Sequence, residues 1–517
     1  MRKKTKIVCT IGPAVDSEST LTSLIVSGMD IARYNFSHGA QAAHLARMNR
    51  LKKVRRTLDS PCAIMMDTRG PEIRTGTLKG GKPVRLQAGK RIVLTEGPCT
   101  GTARRIQQTY PNLAARVRPG TPILIDDGAI ELAVDEVAGT DIVCTVQNTG
   151  VLGEQKSVNL PETELDLPAL TEQDKSDLLF GIEQGVDFVA ASSVRCADDA
   201  RTVRAFLDAN GGADIALISK IETQSGVDNA AEIVDVSDGV IVARGDLGVE
   251  VDGAKIPHIQ KRIVRLCNAK HTPVIVANQM LDSMVRNPRP TRAEAADVAN
   301  AVYDGADALM LSSETAVGKY PVPSVRMMAK IAAASEPYAD HRTRSDVEYE
   351  TDELRCAPTV GVAAVRTAEA IHATCIVTPT SSGRTARLIS NLRPTAPIYA
   401  VTQRERVMRR MQLLWGVTPM LGQVENQPMR DTIVAARHAV LSRGLVKPGD
   451  LTVFTAGDRA TSPCVTSGDV PGIESAPTNV MYVVQIRDER DAEADAGATT
   501  PASTAAPAHA ARAGKEA

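Results

Sequence analysis

D-I-A-L-I-S-K-I-E-T, Asp214 to Thr223, followed by G-V-I-V-A-R-G-D, Gly239 to Asp246, decides the fold. Each segment is a short β-branched run that ends on charged residues, and a stretch of helical length separates the two. Apolar runs of this kind, without alternation, suit strands buried on both faces, and such strands sit in parallel sheets crossed by helices. Similar runs occur at Lys6 to Thr10, Asp30 to Tyr34, Ala63 to Asp67, Asp187 to Ser192, Pro273 to Ala277 and Ala308 to Leu311. Amphipathic segments such as Leu170 to Gln184 and Ile256 to Ala269 fall between them. Eight such units predict a (β/α)8 TIM barrel.

The alternation breaks after Asp67. Thr75 to Asn159 is rich in short strands closed by G-G-K-P, R-P-G-T-P and D-D-G turns, which reads as an inserted β domain. Beyond Glu336 a polar linker, Ala339 to Arg355, precedes a helix at Val360 to Ala370. Strands at Cys375 to Thr378, Pro397 to Val401, Leu451 to Thr455 and Val480 to Val484 then predict a smaller α/β sandwich. The expected division is 1–70 with 160–338 for the barrel, 71–159 for the β lid and 356–486 for the C-terminal domain. The remainder, 487–517, is charged and then rich in Ala, Thr and Pro, a composition that predicts a disordered tail.

Bulk properties exclude several classes. At 517 residues the chain is too long for one ordinary core, and 60 Lys plus Arg balance 61 Asp plus Glu. No global field marks a nucleic-acid or membrane binder. The nine cysteines are scattered without a C-x-x-C pair, which fits a reducing cytoplasm. The N-terminal M-R-K-K-T-K-I-V-C-T-I-G-P has too short an apolar run for a signal peptide or a membrane span. No H-E-x-x-H pair occurs, and the single Trp415 makes no platform for bases. Gly76 to Pro83 has Walker spacing, but Pro83 replaces the hydroxyl that would reach a metal.

In a parallel barrel, reactive groups belong at the carboxyl ends of the strands. Arg33, Asn35 and Ser37 end the second strand, Asp67 and Thr68 the third, Lys220 and Glu222 the fifth, Arg244 and Asp246 the sixth, Asn278 the seventh, and Ser312 and Glu314 the eighth. Lys220 and Glu222, two residues apart on an extended chain, share a face. With Asp246 they offer a cation and two hard oxygen ligands, the set that Mg2+ and a transferring phosphoryl group need. A plain Lys-Glu ion pair is the competing reading. Arg244, Gly245 and Asp246 leave a strand for a helical turn, whose free amides suit either a substrate carboxylate or a simple cap. R-Y-N-F-S-H-G, Arg33 to Gly39, and D-T-R-G-P-E-I-R-T-G, Asp67 to Gly76, fit monovalent cation and phosphate, or turn chemistry. In T-P-T-S-S-G-R-T, the residues Thr380, Ser381, Ser382, Gly383, Arg384 and Thr385 form either an effector-phosphate cradle or an N-cap loop.

Taken in order, K-I-V-C-T-I-G-P, A-R-Y-N-F-S-H-G, M-D-T-R-G-P-E-I-R, I-D-D-G, K-S-V-N-L-P, I-S-K-I-E, V-A-R-G-D-L-G-V-E, N-Q-M-L-D-S-M, P-T-R-A-E-A-A-D-V-A-N-A and L-S-S-E-T-A resemble the signature of the pyruvate kinase family, from Lys3 to about Val484. The resemblance implies transfer of the phosphoryl group of phosphoenolpyruvate to ADP, with Mg2+ (or Mn2+) and K+. It makes Lys220 and Asn278 catalytic, and gives phosphoenolpyruvate to Arg33, Lys220, Gly245, Asp246 and Asn278. It places Mg2+ on Glu222 and Asp246, and K+ on Asn35, Ser37, Asp67 and Thr68. The nucleotide falls to Asn35, Phe36, Ser37, His38, Arg74 and Lys156, and Glu72 accompanies K+ dependence. A homotetramer, and a phosphorylated or nucleotide effector, are further implications.

Four positions depart from the family pattern: Asn278 stands for Thr, Ser157 for Gly, Ser193 for Phe and Asp282 for Glu. An amide donates a hydrogen bond but does not relay a proton as a hydroxyl does. Pro471 to Thr478 lacks the Trp and Arg linked to sugar-bisphosphate response in some members. Two alternatives stay open at this point: a weakly active regulatory homologue, and another Mg-dependent barrel lyase acting on phosphoenolpyruvate or pyruvate.

Overall fold

The computed structural model describes residues 3–161, 163, 165–339, 356–425, 427–457 and 478–487. Eight strands close a barrel: β1 (Lys6–Thr10), β2 (Ile31–Asn35), β3 (Ala63–Asp67), β4 (Phe188–Ala191), β5 (Ala216–Ile221), β6 (Gly239–Ala243), β7 (Val274–Ala277) and β8 (Ala308–Leu311). Their order around the barrel follows the chain, with β1 paired to β8, and every pair is parallel. The unalternating apolar runs are explained by burial on two sides. Val240 and Val242 pack outward under the helices, whereas Ile241 and Ala243 fill the barrel interior with Val8, Met65 and Ile275.

Alternate strands are anchored at their entry by one device. Asp30, Asp187, Asp238 and Asp307 each precede a strand, and each carboxylate accepts the amide of a residue in the neighbouring strand segment, Ile7, Ile64, Leu217 and Val274, at 2.8–2.9 Å. Two of these carboxylates also bind the C-terminal region: Arg409 Nε lies 2.7 Å from Asp187, and Arg393 Nη2 lies 2.8 Å from Asp307. Leu413 joins the barrel's interior cluster. Arg393 is fully enclosed, so removing its partner strands a buried charge and frees the Val274 amide. Asp307→Ala should therefore lose about 3–5 kcal/mol, read by urea unfolding.

Between β3 and β4 the chain builds a six-stranded sheet in the order Val158–Asn159, Pro122–Ile125, Ile130–Ala138, Asp141–Val146, Arg91–Thr95, Arg105–Gln107, with a separate ribbon of Val84–Leu86 and Gly150–Leu152. Ile92, Leu94, Ile123, Leu132 and Ile142 form its own core, so this is the inserted β domain. The Walker-like stretch lies here as a short turn at Lys79–Gly81. The C-terminal sheet has β9 (Cys375–Pro379), β10 (Ile398–Thr402), β11 (Val417–Leu421), β12 (Leu451–Ala456) and β13 (Val480–Gln485), ordered β11-β10-β9-β12-β13. Only β13 runs antiparallel. Separate clusters cover its two faces, which makes the expected sandwich.

The helix expected at Val360 begins earlier, at Cys356, because C-A-P-T-V is apolar enough to pack from its first turn. Among the described residues no helix is long and apolar enough to cross a membrane. All of the predicted tail but Arg487, most of the linker, Cys464 and the loop from Pro471 to Pro477 lie outside the described residues.

Candidate active site

The polar ends of the strands meet in one cleft of about 1340 Å3 that reaches from the barrel rim to the inserted domain. Lys220 ends β5 and is the centre of its charge network. Its Nζ lies 2.7 Å from Glu222 Oε1 and 3.1 Å from Asp67 Oδ1, and donates to Ser192 Oγ at 2.8 Å. The far oxygen of Asp67 holds Arg33 Nε at 2.5 Å, and Arg33 Nη1 donates to Thr10 Oγ1 at 2.9 Å. Burial opposes a charged Lys220, but Asp67, Glu222 and Asp246 outweigh it and hold the ammonium above its usual range. Burial likewise opposes a charged Asp67, and Arg33 and Lys220 overcome it to hold the carboxyl low. At neutral pH these groups are an ammonium and a carboxylate.

Asp246 behaves in the opposite way. It faces the cleft at the start of a short helix, Arg244–Glu250, beside Glu222. Desolvation in the cleft, then the charge of Glu222, push its carboxyl up, and water at the exposed side chain screens part of the effect. Two crowded carboxylates on an open cleft are a donor set that a divalent cation relieves. Mg2+ suits it, since that ion takes one or two carboxylates and completes its shell with water and substrate oxygens. Among the described residues no group of three or more His, Cys, Asp or Glu forms a closed metal cage.

Gly245 packs closely on Asn278: a Cβ there would stand 2.6 Å from the Asn278 amide nitrogen and would displace that side chain. Asn278 and Gln279 take left-handed backbone angles, φ 74° and 53°. Asn tolerates this region far better than a β-branched residue does, which gives the Asn278 departure a local rationale. Ser193 is also left-handed, at φ 54°, and its amide donates to Glu222 Oε2 at 2.7 Å. Ser157 exchanges hydrogen bonds with Asp127, accepting the amide at 3.1 Å and donating to the carboxylate at 2.9 Å. These two departures are built into the cleft wall. Nothing in the structure explains Asp282, which begins a short 3-10 turn.

The remaining expected residues divide. Ser37, His38 and Arg74 line a second cavity of about 520 Å3 with Arg69, Gly76 and Thr109. Arg74 is held by Glu72 at 2.7 Å, and Lys156 by Asp126 at 2.9 Å. Asn35 Oδ1 accepts the Ser37 amide, and Thr68 Oγ1 accepts the Ser192 amide, both at 3.1 Å. Phe36 is the misfit: its ring is buried, stacked on His44 with centroids 4.4 Å apart, so only its backbone is available to a nucleotide. In the loop before Arg384–Asn391, Thr380 Oγ1 accepts the Gly383 amide at 2.9 Å and Thr385 bonds Thr478 at 2.8 Å. Those hydroxyls shape the loop, while Ser382 and Arg384 face outward. The sequence reading missed Ser192, which bonds Lys220, and Arg69. Both follow strand ends, so the rim rule that found Lys220 also points to them.

A closed parallel barrel with a fixed ammonium, two carboxylates and an adjoining second cavity is an arrangement suited to a phosphotransferase. The family model for the pyruvate kinase barrel domain matches residues 2–325, and that for the pyruvate kinase alpha/beta domain matches 359–467. The chain is 45% identical to a pyruvate kinase of Geobacillus stearothermophilus over 94% of this chain and 81% of that protein. It is 44% identical to one from Clostridium acetobutylicum over 93% and 99% of the two chains. A crystal structure of a pyruvate kinase from Cryptosporidium parvum superposes with a TM-score of 0.85 at 35% identity, covering 93% of this chain and 96% of that one. The chain belongs to the pyruvate kinase family. It is a phosphotransferase whose substrates are phosphoenolpyruvate and ADP.

Proposed function

We propose that Lys220, Glu222 and Asp246 carry the transfer from phosphoenolpyruvate to ADP. The observation behind this reading is the Lys220 ammonium, fixed between Glu222 and Asp67 and open to the same cleft as Asp246. In the reaction the enol O–P bond breaks and a bond forms from phosphorus to a β-phosphate oxygen of ADP. Charge spreads over three equatorial phosphoryl oxygens and gathers on the departing enolate oxygen, and a preorganised ammonium stabilises both. Glu222 and Asp246 would hold Mg2+, which would supply Lewis-acid neutralisation of the same oxygens. Arg33 and the amides of Gly245 and Asp246 hold the substrate's anionic groups. Arg74, Lys156, His38 and the Asn35–Ser37 backbone take the nucleotide. The enolate then becomes pyruvate when C3 accepts a proton, delivered by a water that hydrogen-bonds Asn278, since an amide does not itself relay protons.

The reading extends to K+ at Asn35, Ser37, Asp67 and Thr68, a cytoplasmic homotetramer, an effector phosphate at 380–385, and domain divisions at 1–70 with 160–338, 71–159 and 356–486. Chelation with EDTA should abolish pyruvate formation and Mg2+ should restore it. With Mg2+ present, K+ should raise kcat clearly above the value in equimolar Na+ or choline. Equal turnover in all three salts would remove the K+ site.

A further inference from the structure

Arg244 touches the loop that follows β7 more closely than it touches the cleft. Its Nη2 donates to the carbonyl of Asn278 at 2.8 Å and approaches Met280 Sδ at 2.9 Å, and its Nε donates to the carbonyl of Ala277 at 3.3 Å. The guanidinium is itself fixed from the other side. Asp297 accepts from Nη1 and Nη2 at 2.8 and 2.7 Å, and Gln260 Oε1 lies 3.3 Å from Nη1. A two-pronged pair of this kind fixes orientation as well as charge.

The loop it grips is the one with consecutive left-handed residues, Asn278 and Gln279. Residues held in sparsely populated backbone regions persist only where the surroundings over-determine them. Two further carboxylates complete the hold. Glu314 accepts the Leu281 amide at 3.0 Å, and Glu294 accepts the Ser283 amide at 2.7 Å while closing the capping box of Arg292–Asp304, the helix that also carries Asp297. Arg244 therefore sits in chain next to Gly245 and Asp246, and in space against the backbone of Asn278.

We propose that Arg244, held by Asp297, is a positioning residue for the protonation half of the reaction, fixing the Asn278 amide against Gly245 so that the proton-delivering water is aligned with C3. This rests on the function proposed above. Arg244 touches no reacting atom; it acts through Asn278.

Two variants of the full-length enzyme test it, Asp297→Asn and Arg244→Lys, each checked for folding by thermal unfolding. The readout is deuterium entering the methyl group of pyruvate in D2O with Mg2+, K+ and ATP, which reports removal and return of the C3 proton. Exchange and kcat should both fall about tenfold or more, since small misplacements at a reacting centre are costly. The KM for phosphoenolpyruvate and the Mg2+ requirement should move less than about threefold, and Asp297→Glu should recover most of the exchange, because a carboxylate again orients the fork. Undiminished exchange in either folded variant would overturn the proposal, as would a raised Mg2+ requirement with exchange and kcat otherwise normal. A wild-type enzyme that makes no pyruvate from phosphoenolpyruvate and ADP would instead overturn the function on which it rests.

Discussion

Lys220→Met is expected to lower kcat by about a thousandfold while leaving the KM for ADP within a small factor. Methionine keeps most of the length and apolar stem but removes the ammonium that lies between Glu222 and Asp67. Loss of one preorganised charge at a developing oxyanion costs on the order of 100- to 1000-fold, and here one group serves both the phosphoryl oxygens and the enolate. Stability should fall as well. Asp67 is fully buried and keeps Arg33, but Glu222 loses its cation, and breaking one side of a buried pair costs about 3–5 kcal/mol. Rapid-quench measurement of the first turnover, beside a urea titration, separates the two effects. A variant that turns over normally would show that the ammonium is structural.

Asp246→Asn should damage function in a different way. The amide preserves shape and one oxygen but removes a charge from the pair that would hold Mg2+, so kcat/KM at millimolar Mg2+ is expected to fall about 100-fold or more, with recovery at higher metal. Stability should move in the opposite sense to the lysine variant. The folded protein raises the Asp246 carboxyl, through desolvation in the cleft and then the charge of Glu222, with water at the exposed side chain screening part of the effect. A carboxyl whose folded pKa is raised destabilises the fold once pH exceeds the unfolded value, and the penalty grows until the folded value is passed. The metal-free Asn variant should thus melt no lower than the parent at pH 8, and the difference should shrink toward pH 5. Thermal unfolding of the two metal-free proteins across that range checks this, and a lower melting temperature for the variant at pH 8 would refute the crowding.

The barrel was legible because each strand is buried on both faces. In A-I-M-M-D or G-V-I-V-A the apolar run is unbroken, and the polar residue that ends it is then forced to the rim. Lys220 and Glu222 were legible for the same reason, as a two-residue repeat on an extended chain. The left-handed turn at Asn278 and Gln279 was not, since nothing in N-Q-M-L marks it without the carboxylates of Glu314 and Glu294, which arrive from about 35 and 15 residues away in the chain. The buried ring of Phe36 was hidden likewise: its partner His44 lies on the following helix, Gln41–Thr57, and only packing shows which way the ring turns. Asn278 looked like a loss of function in sequence. In the structure it is also a residue suited to the backbone it occupies.

This cleft is expected to move a phosphoryl group from phosphoenolpyruvate to ADP. The most direct test is to incubate the full-length protein with phosphoenolpyruvate, Mg2+ and K+, adding or withholding ADP, and to quantify pyruvate and ATP together. The predicted result is equal amounts of both products, strictly dependent on ADP. Pyruvate released without ADP, or no pyruvate from a folded protein, would contradict it.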